Sequence, residues 1–324
     1  MSDRYARQTI LAEVGPQGQA RLAAATVLVV GAGGLGSAVL PYLAAAGVGR
    51  LIIVDHDEVE ESNLHRQPLY RMSDLGKPKA HAARVALAAL NPATDIESVC
   101  ERLSSLNAAR LVAAANVVID AADSFAVTYL LSDTCQRAGK PLVSASVLGL
   151  SGYVGAFCGD APSYRAVFPE LPRNAGSCAE SGVLGSAVGV MGTLQAHLAL
   201  ALLLEWQPSV AGRLLSVDFR TLHLGGFSFS GAVEPREPPI PFIAPAEVKG
   251  SDIVIDLRST SEAPVSPFPA ALRVGVEALE KAQVQLPSEP RIVLCCRSGL
   301  RAWRAAQALR NQGHANLALL ALGE

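Results

Sequence analysis

The chain carries little charge: 17% of its 324 residues are Asp, Glu, Lys or Arg. Lys and Arg number 27 against 29 Asp and Glu, a net charge of -2. That balance offers no basic surface for nucleic acid, and there is no acidic tail. Aromatics are scarce at 5%, so Ala, Val and Leu have to fill the core. Half of the residues are hydrophobic, which excludes global disorder. The six cysteines, Cys100, Cys135, Cys158, Cys178, Cys295 and Cys296, form no C-x-x-C pair and no disulfide spacing. The start, Met1-Ser2-Asp3-Arg4-Tyr5, lacks the apolar core of a signal peptide. A cytoplasmic protein with free thiols, acting on neither membrane nor nucleic acid, is expected. Leu22 to Gly49 is uncharged, but six glycines and Pro41 break it up, so it reads as strand, turn and helix rather than a membrane span. Val183 to Trp206 is interrupted by Gln195 and His197 and reads as a buried helix, with His197 as a core histidine.

What is present is an alternation of strands and helices. Ala25 to Val30, Leu51 to Asp55, Asn116 to Asp120 and Pro141 to Ser146 read as strands. Ser37 to Ala46, Lys79 to Leu90 and Ser124 to Ala138 read as the helices between them. The pattern predicts an α/β fold, a Rossmann-like doubly wound sheet. Gly152 to Cys158 and Leu214 to Phe219 predict a mixed or antiparallel extension. Four prolines in the eight residues from Glu234 to Pro241 mark a semi-rigid linker. The expected division is 1–230, a linker at 231–244, and a small α/β unit at 245–324 with strands Ile253 to Leu257 and Arg291 to Cys295 and helix Leu300 to Gln312.

Gly31-Ala32-Gly33-Gly34-Leu35-Gly36 is G-x-G-x-x-G between a strand and a helix. Glycines there allow a tight turn and let backbone N–H groups approach phosphate. Asp55, 19 residues beyond Gly36, ends the next strand, where a carboxylate accepts from ribose hydroxyls. Asp57, Ser62, Asn63, Arg66 and Lys79 follow in order. Cations and amides downstream of a ribose acid suit a triphosphate under attack at its α-phosphorus, whereas a dehydrogenase needs no such set.

Taken together, Arg4-Tyr5-Ala6-Arg7-Gln8, GAGGLG, D-x-D-x-V-x-x-S-N-L-x-R-Q, G-x-P-K-A and Asp120-Ala121-Ala122-Asp123-Ser124 resemble the MoeB/ThiF/HesA family, bacterial relatives of ubiquitin-activating enzymes. The resemblance runs over about residues 4 to 225. It implies that the chain uses ATP and Mg2+ to adenylate the C-terminal Gly-Gly carboxylate of a small β-grasp sulfur carrier. By position, Gly31, Gly33, Gly34 and Gly36 meet the phosphates, Asp55 holds the ribose, and Asn63, Arg66 and Lys79 contact the triphosphate. Asp123 carries Mg2+, and Arg7 reaches the partner subunit's phosphates across a homodimer. Ser124 stands where the family usually has Asn. Cys178, on a Gly-rich loop ahead of the long apolar helix, is placed to link covalently to the activated carrier. Family members commonly bind zinc through two C-x-x-C pairs. Here the first falls on Ser163-Tyr164-Arg165-Ala166 and the second has no counterpart between Phe227 and Pro241. No zinc site is expected, and packing has to hold that cross-loop.

Leu294-Cys295-Cys296-Arg297-Ser298-Gly299-Leu300-Arg301 is a strand, a short loop and a helix start. Such a loop can turn its N–H groups onto a sulfur anion, and Arg297 and Arg301 add positive charge that favours thiolate. The loop resembles the C-R-x-G-x-R loop of rhodanese-like sulfurtransferases, and Asp256-Leu257-Arg258 resembles their D-x-R strand end. The resemblance implies a persulfide on Cys296, loaded from a cysteine desulfurase or thiosulfate, with Cys295 in the core. Thr260 to Val274 lacks a clear H-x-P-G-A motif, which leaves an inactive rhodanese fold open. A nicotinamide-dependent dehydrogenase and a carrier-binding module without turnover are the alternative readings of the whole chain.

Overall fold

β1 (Thr26–Val30) and β4 (Val117–Asp120) are runs of Val, Leu and Ile buried almost throughout, the signature of central strands covered on both faces. The computed structural model describes residues 3–171, 182–287 and 289–323. Its larger sheet has eight strands in the order β3-β2-β1-β4-β5-β6-β7-β8. β2 spans Arg50–Val54, β3 Asp95–Val99, β5 Pro141–Leu148, β6 Ser151–Cys158, β7 Arg213–Asp218 and β8 His223–Ser228. β1 to β5 are parallel, and β6, β7 and β8 extend the sheet antiparallel. The order reverses between β1 and β4, so a crevice opens outside their carboxyl ends. Register levels those ends: Val30 pairs with both Val54 and Asp120.

The helices are α1 (Ala6–Thr9), α2 (Gly15–Ala24), α3 (Gly34–Ala46), α4 (Lys79–Leu90), α5 (Ala108–Ala113), α6 (Phe125–Ala138), α7 (Tyr164–Val167) and α8 (Gly185–Leu203). α8 is long and apolar enough to cross a membrane, yet it lies on α3 and β5. At their crossing a Cβ on Gly192 would stand 2.6 Å from the Leu35 carbonyl oxygen. Only half of α8 is buried, which corrects the reading of it as a core helix: Val190 and His197 face outward. His197 is no core histidine. It lies edge-on to Trp206 and lines a groove of about 350 Å³ with Leu194, Leu198 and Phe227.

A second, all-parallel sheet is ordered β10-β9-β11-β12, with β9 Ile253–Asp256, β10 Leu272–Arg273, β11 Ile292–Cys296 and β12 Leu317–Ala321. α9 (Val276–Glu280) and α10 (Leu300–Asn311) belong to this unit. The Pro-rich segment before it is bound along its length. Glu234 accepts from the Ser163 N–H and hydroxyl, both at 2.6 Å, and Ile240 and Phe242 are buried. Leu319 N–H donates to Pro241, and Ile243 N–H to Leu319, so this segment runs beside β12. The two units share apolar core: Tyr129 of α6 lies 6.0 Å from Trp303 of α10 between ring centroids. Arg165 sits over both rings and pairs with Asp133 at 2.6 Å.

Candidate active site

The glycine loop turns sharply where β1 enters α3. Gly31 takes φ +98°, and a Cβ on it would stand 2.5 Å from the Ala121 carbonyl oxygen. Only glycine fits there. The same contact brings the loop after β4, which carries Asp123, onto the glycine loop. A Cβ on Gly34 would meet Val188 at 2.7 Å, and the Arg66 carbonyl oxygen and side chain lie just beyond, at 3.6 and 3.8 Å. Beside Gly33 the nearest atom is the Gln67 amide nitrogen, at 3.6 Å from a Cβ position. α3 therefore begins at Gly34, inside the glycine motif rather than after it.

Asp55, directly after β2, is buried and accepts from the Ala32 N–H at 2.7 Å and the Asp57 N–H at 2.8 Å. Burial pushes its carboxyl above the usual range, opposed by those two N–H groups and by Lys79. Lys79 opens α4 with its ammonium buried, 2.9 Å from Asp57. Burial raises the Asp57 carboxyl too, but there Lys79 outweighs it and the net shift is downward. Asn63 Oδ1 accepts from Arg66 at 2.5 Å, while Asn63 Nδ2 donates to Glu60 at 2.9 Å. Ser62 is exposed and donates to Glu60. Asp123 is exposed, and among the described residues it accepts no hydrogen bond and pairs with no cation. Ser124 begins α6 as its N-cap, although its side chain caps nothing.

Gly31, Gly33, Gly34, Gly36, Asp55, Asp57, Asn63, Arg66, Lys79 and the Asp123 loop thus converge at the carboxyl ends of β1, β2 and β4. Arg7 does not join them. Its neighbour Gln8 donates to the Ala46 carbonyl, at the far end of α3, about 18 Å from Gly34 by helix rise. Cys178 lies outside the described residues.

Several supporting residues had no role assigned from sequence. Tyr70 donates to the Ala32 carbonyl at 2.6 Å, fixing the glycine loop. Gln67 is buried, and among the described residues its Oε1 has no hydrogen-bond partner. Gln195 of α8 donates to the Asp120 carbonyl at 2.7 Å. Asp120 itself is fully buried and accepts from Thr128 and Ser144 at 2.7 and 2.8 Å. Burial pushes its carboxyl up to about 6. A Gln inside a charged motif and an Asp ending an apolar strand were the available signals.

Residues 5–235 match the ThiF family model. The chain belongs to the ThiF family. A relative named SAMP-activating enzyme E1, from Haloferax volcanii, is 45% identical over 218 residues, 67% of this chain and 81% of the relative. A sulfur carrier protein adenylyltransferase from Thermus thermophilus is 47% identical over 224 residues, 67% of this chain and 83% of that one. The adenylyltransferase and sulfurtransferase MOCS3 of Drosophila yakuba is 35% identical across 95% of this chain and 79% of its own length, so that alignment runs through both units. Among solved structures, Escherichia coli MccB with MccA-N7isoASN superposes with a TM-score of 0.62 at 20% identity, over 73% of this chain and 74% of that one. That likeness speaks for the fold.

In the rhodanese-like unit, this ThiF-family chain holds Cys296 at the end of β11, with the Gly299 and Ala302 N–H groups at 3.1 and 3.4 Å from Sγ. Gly299 takes φ +88°, which turns its N–H inward. The Arg301 guanidinium binds Glu262 in bidentate fashion and the Leu257 carbonyl at 3.1 Å. Glu262 therefore neutralises the Arg301 charge that the sequence offered to the cysteine loop. Arg258 grips Asp256 at 3.0 and 2.9 Å at the end of β9. Cys295 packs with Val254, Val293 and Leu320, and burial pushes its thiol up to about 12. Cys296 is also fully buried, and the Phe242 ring packs against Gly299 beside it.

Proposed function

We propose that this chain adenylates the terminal carboxylate of a small β-grasp sulfur carrier ending in Gly-Gly, using ATP and Mg2+, and then supplies sulfur to it from Cys296. The convergence of the glycine loop, Asp55, Arg66, Lys79 and the Asp123 loop on one crevice carries the reading. A carboxylate oxygen attacks the α-phosphorus, the P–O bond to the β-phosphate breaks, and pyrophosphate leaves with the electron pair. That step needs charge neutralisation and alignment more than a general base. Lys79 and Arg66 supply positive charge, and backbone N–H groups of the glycine loop supply donors. Asp123, an exposed oxygen donor without a competing cation, fits a hard divalent ion such as Mg2+, which would neutralise phosphate charge.

In the second step the terminal sulfur of a Cys296 persulfide attacks the acyl carbon. A C–S bond forms, the C–O bond to AMP breaks, and an acyl disulfide results. A small-molecule thiol supplies the two electrons that cleave its S–S bond and release the thiocarboxylate. The persulfide comes from a sulfane donor, a cysteine desulfurase or thiosulfate. Arg7, remote from its own chain's glycine loop, supports a homodimer in which it serves the partner's site. The free thiols of Cys135, Cys158 and Cys295 support a cytoplasmic location. The test is ATP-pyrophosphate exchange with Mg2+ across a panel of Gly-Gly-ending carriers, with Asp123→Ala as control. Exchange that depends on one carrier and vanishes in the variant is expected. ATP binding without exchange for any carrier would replace this reading with a binding module.

A further inference from the structure

The cysteine loop and the nucleotide crevice meet on one side of the molecule, and Arg102 joins them. Arg102 follows β3, and its Nη2 lies 3.1 Å from His56 Nε2, one residue past Asp55. The same guanidinium lies against the backbone of Gly323: a Cβ there would stand 2.7 to 3.1 Å from it. Gly323 takes φ +72°, so glycine is required both for the backbone and for the contact. Gly323 N–H donates to the Arg297 carbonyl, and Leu322 N–H to the Cys296 carbonyl, each at 2.9 Å. Following these contacts, the Arg297 carbonyl oxygen lies within about 12 Å of the His56 ring. Ser105 makes a second bridge close by. It donates to Glu247 and accepts from the Ala244 N–H at 2.9 Å. Trp303, packed against Tyr129 and under the Arg165 guanidinium, makes a third.

We propose that Arg102 is a positioning residue that docks the rhodanese-like unit on the nucleotide site of its own chain, so that Cys296 serves the acyl adenylate formed by the same chain. The inference rests on the adenylation and sulfur-transfer reading above. Three bridges and a shared core fix the cysteine loop beside one crevice, its own, which raises the local concentration of its sulfur there. Cys296 is sealed in this arrangement, so its loop has to open before the sulfur meets the acyl adenylate. A homodimer with Arg7 acting across the interface therefore divides its labour unevenly: phosphate charge from the partner, sulfur from the same chain.

Two disabled chains test this. Asp123→Ala removes adenylation, and Cys296→Ala removes the persulfide. Co-expressed with different affinity tags and purified through both, each dimer contains one of each. Thiocarboxylate on the carrier is read by mass spectrometry, with thiosulfate as donor and dithiothreitol as reductant. The expected yield is no more than that of the single variants. Recovery to half of the wild-type rate would overturn the proposal and leave the adenylation and sulfur-transfer reading standing. If homodimeric Cys296→Ala keeps full thiocarboxylate formation, the sulfur-transfer reading fails and takes the proposal with it. Gly323→Val provides a separate check, since its side chain displaces the Arg102 guanidinium. Thiocarboxylate formation is expected to fall by about tenfold or more with pyrophosphate exchange unchanged. Equal rates in Gly323→Val and wild type would overturn the role of Arg102.

Discussion

Asp120→Asn isolates the electrostatic cost of the polar group beneath the crevice. Asp120 is 1% exposed and accepts from Thr128, Ser144 and the Ala122 N–H. Those donors favour the carboxylate, but burial wins and Asp123 adds repulsion, raising the carboxyl from 3.8 to about 6. In the unfolded chain Asp120 ionises near its ordinary value. Between about pH 4 and pH 6 the native state therefore holds a proton that the unfolded state has released, and this group's contribution to stability falls as pH rises. Two pKa units correspond to about 3 kcal/mol. Asn keeps the shape and an acceptor for Thr128 and Ser144 but does not titrate. Other carboxylates, such as Asp57 and Asp252, are held low by Lys79 and Arg291 and lose stability on acidification, so the wild-type profile alone is uninformative. The difference between variant and wild type cancels them. Urea unfolding of both proteins at pH 4, 5, 6 and 7 should show the Asn variant gaining about 2.4 kcal/mol relative to wild type across that range. A difference that does not vary with pH would refute the reasoning.

Gly31→Val is expected to abolish ATP binding in calorimetry, because a Cβ would stand 2.5 Å from Ala121 O at φ +98°; retained binding would contradict the close approach of the two loops. Lys79→Met should lower pyrophosphate exchange by about 100-fold, and a change under about threefold would remove Lys79 from the charge-neutralising set. Phe242→Ala should speed iodoacetamide labelling of Cys296, located by tandem mass spectrometry, by about tenfold or more; an unchanged rate would mean that Phe242 does not seal the loop. Arg165→Ala leaves Asp133 partly buried without its cation and strips the contact on Tyr129 and Trp303. It should cost about 3 kcal/mol in urea unfolding, and a loss below about 1 kcal/mol would show that packing alone joins the units.

The glycine loop, Asp55 and Lys79 were legible because their chemistry is local: residue type, spacing and the strand before them determine the conformation. β3 and β8 were not. β3, Asp-Ile-Glu-Ser-Val, alternates polar residues, and its backbone is ordered by pairing with β2, a partner 45 residues earlier that no local pattern reveals. β8, His-Leu-Gly-Gly-Phe-Ser, holds two glycines and is almost wholly exposed, so it carries neither strand propensity nor a buried face. α8 misled in the opposite direction. Its composition is apolar all round and reads as a buried helix, whereas in the single chain only the face toward α3 and β5 is covered. Arg102 was invisible for another reason. It becomes meaningful only when Gly323, more than 200 residues later, comes to lie against it.

The loop at Ser163, expected from sequence to be held by packing, is held by hydrogen bonds and an ion pair as well. Ser163, where the first thiolate would stand, gives both its N–H and its hydroxyl to Glu234 at 2.6 Å. Two residues on, Arg165 pairs with Asp133 through two hydrogen bonds, at 2.6 and 3.0 Å, and lies over the rings of Tyr129 and Trp303. A charge-assisted bond from backbone and side chain to one carboxylate fixes a loop as a metal would, but over one contact rather than four ligands. The remaining constraint comes from Trp303, which belongs to the rhodanese-like unit. The brace on the larger unit is thus completed by the unit carrying Cys296, and the contacts that fix this loop also join the two units.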